Sequence, residues 1–112
     1  MNMKSLGIKY NLSEIDKKLG DNFWKPLDVV KINDWVLRAA AFKGKFHWHK
    51  HNEDEFFLIY KGEIFIDTEN GLIKLSKGEG VVIPKGVQHR PRAAKRAVVL
   101  MFEPERLDTK GD

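Results

Sequence analysis

The sequence contains no cysteine, and this absence narrows the possible chemistry at once. Disulfides, cysteine-ligated zinc, iron–sulfur clusters and thiol catalysis are all excluded. No apolar run approaches the roughly 20 residues that a membrane helix requires, and the first residues lack the apolar core of a signal peptide. We therefore expect a soluble cytoplasmic protein without a membrane partner.

Charge of a single sign is also lacking, although the chain is basic overall. Its 112 residues carry a net charge of +4, with both signs interleaved, so no uniform polyanion-binding face is predicted. Residues 90–96 (R-P-R-A-A-K-R) are the exception. They indicate either a solvated loop or a basic rim that attracts an anionic small molecule. Because no aromatic–basic platform or recognition helix accompanies them, we expect no nucleic-acid partner.

Helical patterning is confined to one short stretch. Ser13 to Leu19 predicts a helix in which Ser13 is the N-cap and Gly20 the stop. After Pro26 the pattern changes to strands separated by turn residues, and Asn70-Gly71 is a strong hairpin signal. The predicted strands are 27–32, 35–42, 45–50, 56–61, 63–67, 72–76, 81–83 and 96–103. Eight or nine short strands without βαβ alternation favour an all-β, antiparallel sandwich or barrel.

The length predicts a single domain over residues 1–112. Within it we expect an N-terminal cover segment at 1–29, a core at about 30–103 and a loose polar tail at 104–112.

Three of the four histidines fall within five residues, at His47, His49 and His51. On a strand, residues two apart share a face, so two imidazoles roughly 6 to 7 Å apart can converge on one ion. A turn at 52–54 would make Glu55 the start of the partner strand and return its carboxylate beside these histidines. Glu53 is the alternative acid.

The fourth histidine, His89, stands far downstream, so it must reach the others from a second hairpin. Pro84 and Gly86 predict a rigid turn just before it. Histidine and carboxylate ligands without sulfur suit Fe(II), Mn(II), Co(II), Ni(II), Cu(II) or Zn(II). Taken alone, the first histidine pair is equally consistent with an exposed strand.

The two halves together resemble the two motifs of the cupin superfamily. The first motif has the form G-x5-H-x-H-x(3,4)-E-x6-G, and the chain matches it at His49, His51, Glu55 and Gly62. The second has the form G-x5-P-x-G-x2-H-x3-N, and the chain matches it at Gly78, Pro84, Gly86 and His89. Two positions depart from them: Gly44 is one residue short of the leading glycine, and Ala93 replaces the closing Asn. The sequence around these motifs is similar to that of small single-domain cupins, which are often labelled mannose-6-phosphate-isomerase-like.

This resemblance implies an antiparallel double-stranded β-helix, that is, a jelly-roll barrel. It implies one divalent transition metal held by His49, His51, Glu55 and His89. Trp48 lies between two ligands and must face outward, where it needs cover either by the N-terminal segment or by a second subunit. The resemblance implies the second, a homodimer, as is usual in small cupins. His47 is extra to the motif and is a candidate catalytic acid or base. Lining the cavity mouth or a structural hydrogen bond is the alternative role for it.

Three functions remain open at this point, because a fold does not fix a function. The first is a metal-dependent enzyme that acts on a small polar molecule, such as a sugar phosphate or an organic acid, by isomerase or Fe(II)-dependent dioxygenase chemistry. The second is a binding module in which the metal anchors a ligand without turnover. The third is a structural barrel with a vestigial site.

Overall fold

Seven strands and one helix make up the fold, as described by a computed structural model over residues 7–112. The elements run in the order α1 (Leu12–Leu19), β1 (Leu27–Ile32), β2 (Trp35–Lys45), β3 (Glu55–Lys61), β4 (Glu63–Thr68), β5 (Gly71–Ser76), β6 (Gly80–Ile83) and β7 (His89–Pro104). All strand pairs are antiparallel, in the order β1-β2-β7-β3-β6, with β4 pairing with β5 and β7. The all-β jelly-roll prediction is therefore confirmed.

Strand β7 organises the barrel because its two halves have different partners. Residues 89–92 pair with β4, whereas residues 98–102 lie between β2 and β3. Its second half alternates as predicted, with Val99 and Met101 in the interior and Val98 and Leu100 on the outer face. The same alternation buries Phe57 and Ile59 of β3 inside the barrel. The first residue of β7, His89, therefore lies beside the loop after β2, which carries the other histidines, and it forms an isolated bridge with His49.

Helix α1 packs on the outer face of the sheet through Leu19, which lies in a cluster with Val98 and Leu100. Asp16 of the helix pairs with Lys61 at 2.7 Å and with Arg96 at 2.7 Å. The helix starts one residue earlier than predicted. Its N-cap is Asn11, not Ser13, because the Asn11 side chain accepts the Glu14 N–H at 3.1 Å. Among residues 7–112, no helix is long and apolar enough to span a bilayer.

Three strand predictions need correction. Residues 45–50 are not a strand: β2 ends at Lys45, and only an isolated bridge between His49 and His89 follows. The described part of the chain has seven strands rather than eight or nine. Residues 90–96 are not a loop, since they belong to β7. Backbone pairing with β4 and β2 places these charged residues in a strand.

Residues 104–112 are not loose either. Leu107 is 3% exposed, and Arg38 of β2 donates to the backbone carbonyls of Glu105, at 2.9 Å, and Leu107, at 2.8 Å. The polar composition predicted a loose tail, but the contacts that hold this segment are made by its backbone carbonyls, which composition does not reveal.

Candidate metal centre

Three imidazoles meet at one end of the barrel interior. One ring nitrogen from each of His49, His51 and His89 lies within 4.8 Å of the others, and all three residues are buried. The bridge between His49 and His89 fixes this pair by two backbone hydrogen bonds, of 3.0 and 2.8 Å. The turn before His89 is tied to His51 as well, because the Gly86 N–H donates to its carbonyl at 2.8 Å. The two hairpins therefore hold the three rings in a fixed relation.

Hydrogen bonds to the outer ring nitrogens orient two of these rings. Nδ1 of His49 donates to the His47 carbonyl at 3.0 Å, and Nδ1 of His89 donates to the Val87 carbonyl at 2.9 Å. These bonds leave Nε2 of each ring as a free lone pair. Nε2 of His51 and Nε2 of His89 are buried without a hydrogen-bond partner. Unpartnered buried nitrogens that converge in this way fit a bound metal ion.

The protonation state of these rings also suits metal binding. Burial lowers the pKa of His49 to about 4, against an ordinary value of 6.5. Burial likewise lowers the pKa of His51 and of His89. Neutral imidazole is the form that binds metals, so all three rings are ready ligands at neutral pH.

Glu55, the first residue of β3, places its carboxylate beside two of the histidines. Its Oε1 lies 3.3 Å from Nε2 of His51 and 3.9 Å from Nε2 of His89. The alternative acid, Glu53, instead pairs with Arg106 in the C-terminal residues. The structure therefore brings Glu55, and not Glu53, to the histidine cluster.

His47 is not brought into the cluster, although it shares the parity of His49. Its side chain is exposed, and its Nε2 is 2.7 Å from the Lys110 carbonyl. The alternation of a strand does not hold here because this stretch has no continuous ladder partner. The catalytic role suggested for His47 stays a prediction.

Glu103 is a residue of this site that the sequence interpretation missed. It is fully buried near the end of β7, and its Oε2 accepts from Nη1 of Arg38 at 3.2 Å. Burial raises the pKa of Glu103 to about 9, with the negative charge of the neighbouring Glu55 as the next cause. Burial also raises the pKa of Glu55, to about 7. Glu103 Oε1 meets no donor from the protein, which is consistent with an acid whose raised pKa keeps it protonated at neutral pH.

A signal for Glu103 was present in the sequence. It shares strand parity with Val99 and Met101, so an acid stands at a position that alternation assigns to the interior. Buried acids are rare unless they are paired.

Residues 107–112, here called the C-terminal segment, return to the cluster. Gly111 lies so close to His49 that an added Cβ would be 2.9 Å from the His49 Cβ. The Asp112 carboxylate accepts the Asn52 N–H at 3.0 Å, and its Oδ2 is 3.5 Å from Nδ1 of His51. The segment thus forms part of the wall around the histidines.

The three arginines of residues 90–96 are all engaged by carboxylates in the rest of the fold. Arg90 and Arg92 both pair with Asp67, at 2.9 and 3.0 Å, and Arg96 pairs with Asp16. Trp48 faces away from the cluster as predicted, and it is covered in part by the Arg90 guanidinium at 5.2 Å.

Comparison with protein families decides the classification. The model of the family described as Cupin domain matches residues 35–103, which is most of the chain. The chain belongs to the cupins. The matched range contains the three histidines and both carboxyls of the site, so the cupin assignment and the geometry refer to the same residues.

Relatives of this cupin include one of similar length and one that is longer. Over 83 residues it is 35% identical to "Uncharacterized protein YdbB" of Bacillus subtilis (strain 168), covering 72% of this chain and 74% of the relative. Over 88 residues it is 38% identical to an acireductone dioxygenase of Tuber melanosporum (strain Mel28), covering 71% of this chain. The match covers 51% of that enzyme, so the cupin spans about half of its length.

A solved structure supports the small single-domain form. The cupin superposes on a cupin-2 domain containing protein from Shewanella frigidimarina NCIMB 400 with a TM-score of 0.81 and 31% identity. The match covers 93% of this chain and 100% of that one.

Proposed function

We propose that His49, His51, His89 and Glu55 hold one divalent transition metal, and that the cupin binds or converts a small molecule at that ion. The observation that carries this proposal is the convergence of three buried, neutral imidazoles, two of which have no other partner for Nε2. Glu55 supplies the neighbouring carboxylate. The donor set contains no sulfur and suits Fe, Mn, Co, Ni, Cu or Zn.

When bound, such an ion supplies Lewis-acid polarisation of an oxygen or, as Fe(II), a site for oxygen chemistry. The chain's own residues prepare the site for this. The His47 and Val87 carbonyls hold the rings of His49 and His89 with Nε2 inward. Burial raises the pKa of Glu103 to about 9, so at neutral pH it keeps a proton beside Glu55 and can donate a hydrogen bond to that carboxylate.

A dioxygenase is the second candidate function. It is favoured by the match to an acireductone dioxygenase over the part of that enzyme that the cupin spans. An isomerase would need a base beside the substrate, and His47, the extra histidine, instead contacts the Lys110 carbonyl at the surface. A metal-anchored binding module without turnover is the third candidate.

The partners that we propose are a small-molecule ligand and a second copy of the chain. An apolar patch on the outer sheet face supports the second copy: Trp35 stacks on Phe102 at 5.2 Å, and both are exposed, as is Val82 two strands away. Exposed aromatic clusters of this kind are typical of protein interfaces. Light scattering of the wild type and of Phe102→Glu tests this, with a change from dimer to monomer expected.

Metal analysis tests the proposed centre. Protein purified without added metal, and then exposed to each candidate ion, is expected to bind one equivalent. His49→Ala and His89→Ala should each lose it, whereas His47→Ala should retain it as the matched control. An unchanged metal content in the first two variants would show that the assignment is wrong.

Turnover assays separate the functional candidates. Oxygen uptake by the Fe(II)-loaded protein with diols, keto acids or phenols supports the dioxygenase. Ligand-dependent stabilisation without turnover supports the binding module.

A further inference from the structure

A cavity opens onto the inner side of the candidate metal centre, at His49 and Glu55. Its walls are almost entirely apolar, and they come from the barrel interior and from two segments outside it. The main wall residues are Trp24, Phe42, Phe46, Phe57, Met101 and Thr109. Anything that reaches the metal by this route must contact aromatic side chains.

Cationic groups do not line this cavity. Among residues 7–112, no Lys or Arg contributes to its walls. Arg90 and Arg92, which are the nearest in sequence to His89, are both engaged by Asp67. Moving a phosphate or carboxylate out of water into an apolar wall without a cation costs several kcal/mol or more on order-of-magnitude scales. In the metal-free protein the cavity therefore disfavours the sugar phosphate that the sequence suggested, and an anion that binds here needs the metal ion as its counter-charge.

Trp24, one of the aromatic residues of the wall, has a strained backbone conformation. Its φ is +62°, a left-handed conformation that is unusual for a bulky residue. Two hydrogen bonds keep it there: its backbone N–H donates to the Ala41 carbonyl and its indole N–H to the Lys43 carbonyl, both at 2.9 Å. The indole stacks on Phe42 at 4.3 Å and on Phe46 at 5.0 Å. Strain held in this way is often found at functional sites.

We propose that the cavity takes an uncharged molecule with a flat apolar body and one oxygen, of the phenol class, with the oxygen directed to the side of His49 and Glu55. The proposal rests on the proposed metal function for the role of that oxygen, but the cavity is formed by the protein alone. Trp24 is the specificity residue, because its indole lines the cavity as part of an aromatic cluster with Phe42 and Phe46.

Entry of a ring requires a wall to move. The cavity measures about 30 Å³, whereas an apolar cavity that holds benzene measures about 150 Å³. Pro26 and Thr109 lie outside the strands of the barrel, so these two walls can shift without disturbing the sheet, while the two hydrogen bonds of Trp24 hold its ring in place.

The test uses three matched probes, phenol, phenyl phosphate and inorganic phosphate, on metal-free and on Zn²⁺-loaded protein. Binding is followed by chemical-shift changes of the tryptophan indole signals. On the metal-free protein we expect saturable binding of phenol, at least about tenfold weaker binding of phenyl phosphate, and none of phosphate. The Zn²⁺-loaded protein tests whether phenol still binds when the ion is present, because phosphate oxygens can bind the ion itself. Trp24→Leu should weaken phenol binding about tenfold, in line with the loss of an aromatic stack and its buried area. The exposed Trp48→Leu is the control and should bind phenol as the wild type does.

The outcomes distinguish this inference from the metal proposal. Failure of phenol to bind either form, or tighter binding of phenyl phosphate than of phenol by the metal-free protein, overturns the inference about ligand class. Equal phenol affinity in Trp24→Leu overturns the assignment of Trp24. Failure of the protein to take up metal overturns the proposed function instead, and phenol binding by the metal-free protein would still support the cavity assignment.

Discussion

Nδ1 of His51 lies 3.5 Å from Oδ2 of Asp112, which connects the candidate metal centre to the C-terminal segment. Asp112 is itself held by the N–H groups of Asn52, at 3.0 Å, and Asp108, at 3.1 Å. A carboxylate on the outer nitrogen of a metal-binding imidazole orients the ring and raises its basicity. His49 and His89 donate from Nδ1 to backbone carbonyls, whereas Nδ1 of His51 makes no such hydrogen bond and faces the Asp112 carboxylate instead.

Asp112→Asn is therefore expected to weaken metal binding by roughly tenfold or more, as is usual for loss of such a carboxylate. Competition titration with a chromophoric chelator measures the affinity. Side-chain nitrogen NMR of the metal-free protein should also show His51 losing its fixed tautomer. Lys110→Ala is the matched control in the same segment, since the contact described for Lys110 uses its backbone carbonyl. Equal affinities in both variants would show that Asp112 does not position His51.

Arg38 is expected to be the most sensitive charged residue for stability. Its guanidinium donates to Glu103 and to the carbonyls of Glu105 and Leu107, with only 12% of the side chain exposed. Arg38→Met should lower the free energy of unfolding by about 3 kcal/mol, since it leaves the buried, protonated Glu103 and two backbone carbonyls without a donor. Urea denaturation provides the measurement.

Lys31→Met is the control for Arg38. Lys31 pairs with Glu105 at 3.0 Å, but both side chains are largely exposed, so its loss should cost about 1 kcal/mol or less. If the two variants unfold at the same urea concentration, the buried network around Arg38 does not contribute as we propose.

Glu103 predicts a pH dependence of the metal-free protein. Burial raises its pKa from an ordinary 4.5 to about 9, so the folded state keeps a proton that the unfolded state releases. The stability from this proton is full below pH 4.5 and is lost as the pH rises toward about 9. In Glu103→Gln no proton can be lost. The free energy of unfolding of this variant, relative to wild type, should therefore increase with pH across that range.

Denaturation at a series of pH values, with a chelator present, measures the difference. Glu105→Gln is the control, since Glu105 is exposed in its pair with Lys31, and its difference from wild type should not follow that trend. A flat difference for Glu103→Gln between the two pH limits would contradict a buried, protonated Glu103.

Substitutions at two glycines allow the cost of a steric clash to be measured apart from the cost of a left-handed backbone conformation. Gly62 and Gly78 both have positive φ, of 80° and 84°. A Cβ at Gly62 would lie 3.0 Å from the Arg96 carbonyl oxygen and 3.1 Å from the Ala97 Cα, whereas a Cβ at Gly78 meets open space. Gly78→Ala should therefore cost about 1 kcal/mol, and Gly62→Ala clearly more. Thermal unfolding tests the order, and equal losses would show that the contact at Gly62 relaxes freely.

The parts of the site that could be predicted are those fixed by strand geometry and by motif spacing. His49, His51, Glu55 and His89 could be predicted because their spacing matches the two cupin motifs, and the rigid turn at Pro84 and Gly86 precedes His89 as the motif requires. His47 could not be placed by the same rule, because alternation requires a ladder partner that residues 46–51 largely lack. Glu103 could have been found from its parity with Met101 in β7.

The C-terminal segment could not be predicted in the same way. Its contacts use backbone carbonyls, such as that of Leu107, and one carboxylate that reaches a distant loop. Neither leaves a pattern of apolar spacing, so composition alone indicated mobility. Only the burial of Leu107 anchors it hydrophobically.

Strand β7 also has a consequence for synthesis on the ribosome. It pairs with β2, β3 and β4. Each of these strands therefore leaves the ribosome with unpaired backbone hydrogen-bonding groups along one edge, and these groups find their partners only after residues 89–104 have been synthesised. Open edges and exposed apolar faces favour association between nascent chains. We expect chains stalled before residue 89 to require chaperone protection, and release of the last strand to convert several exposed edges into a closed barrel in one step.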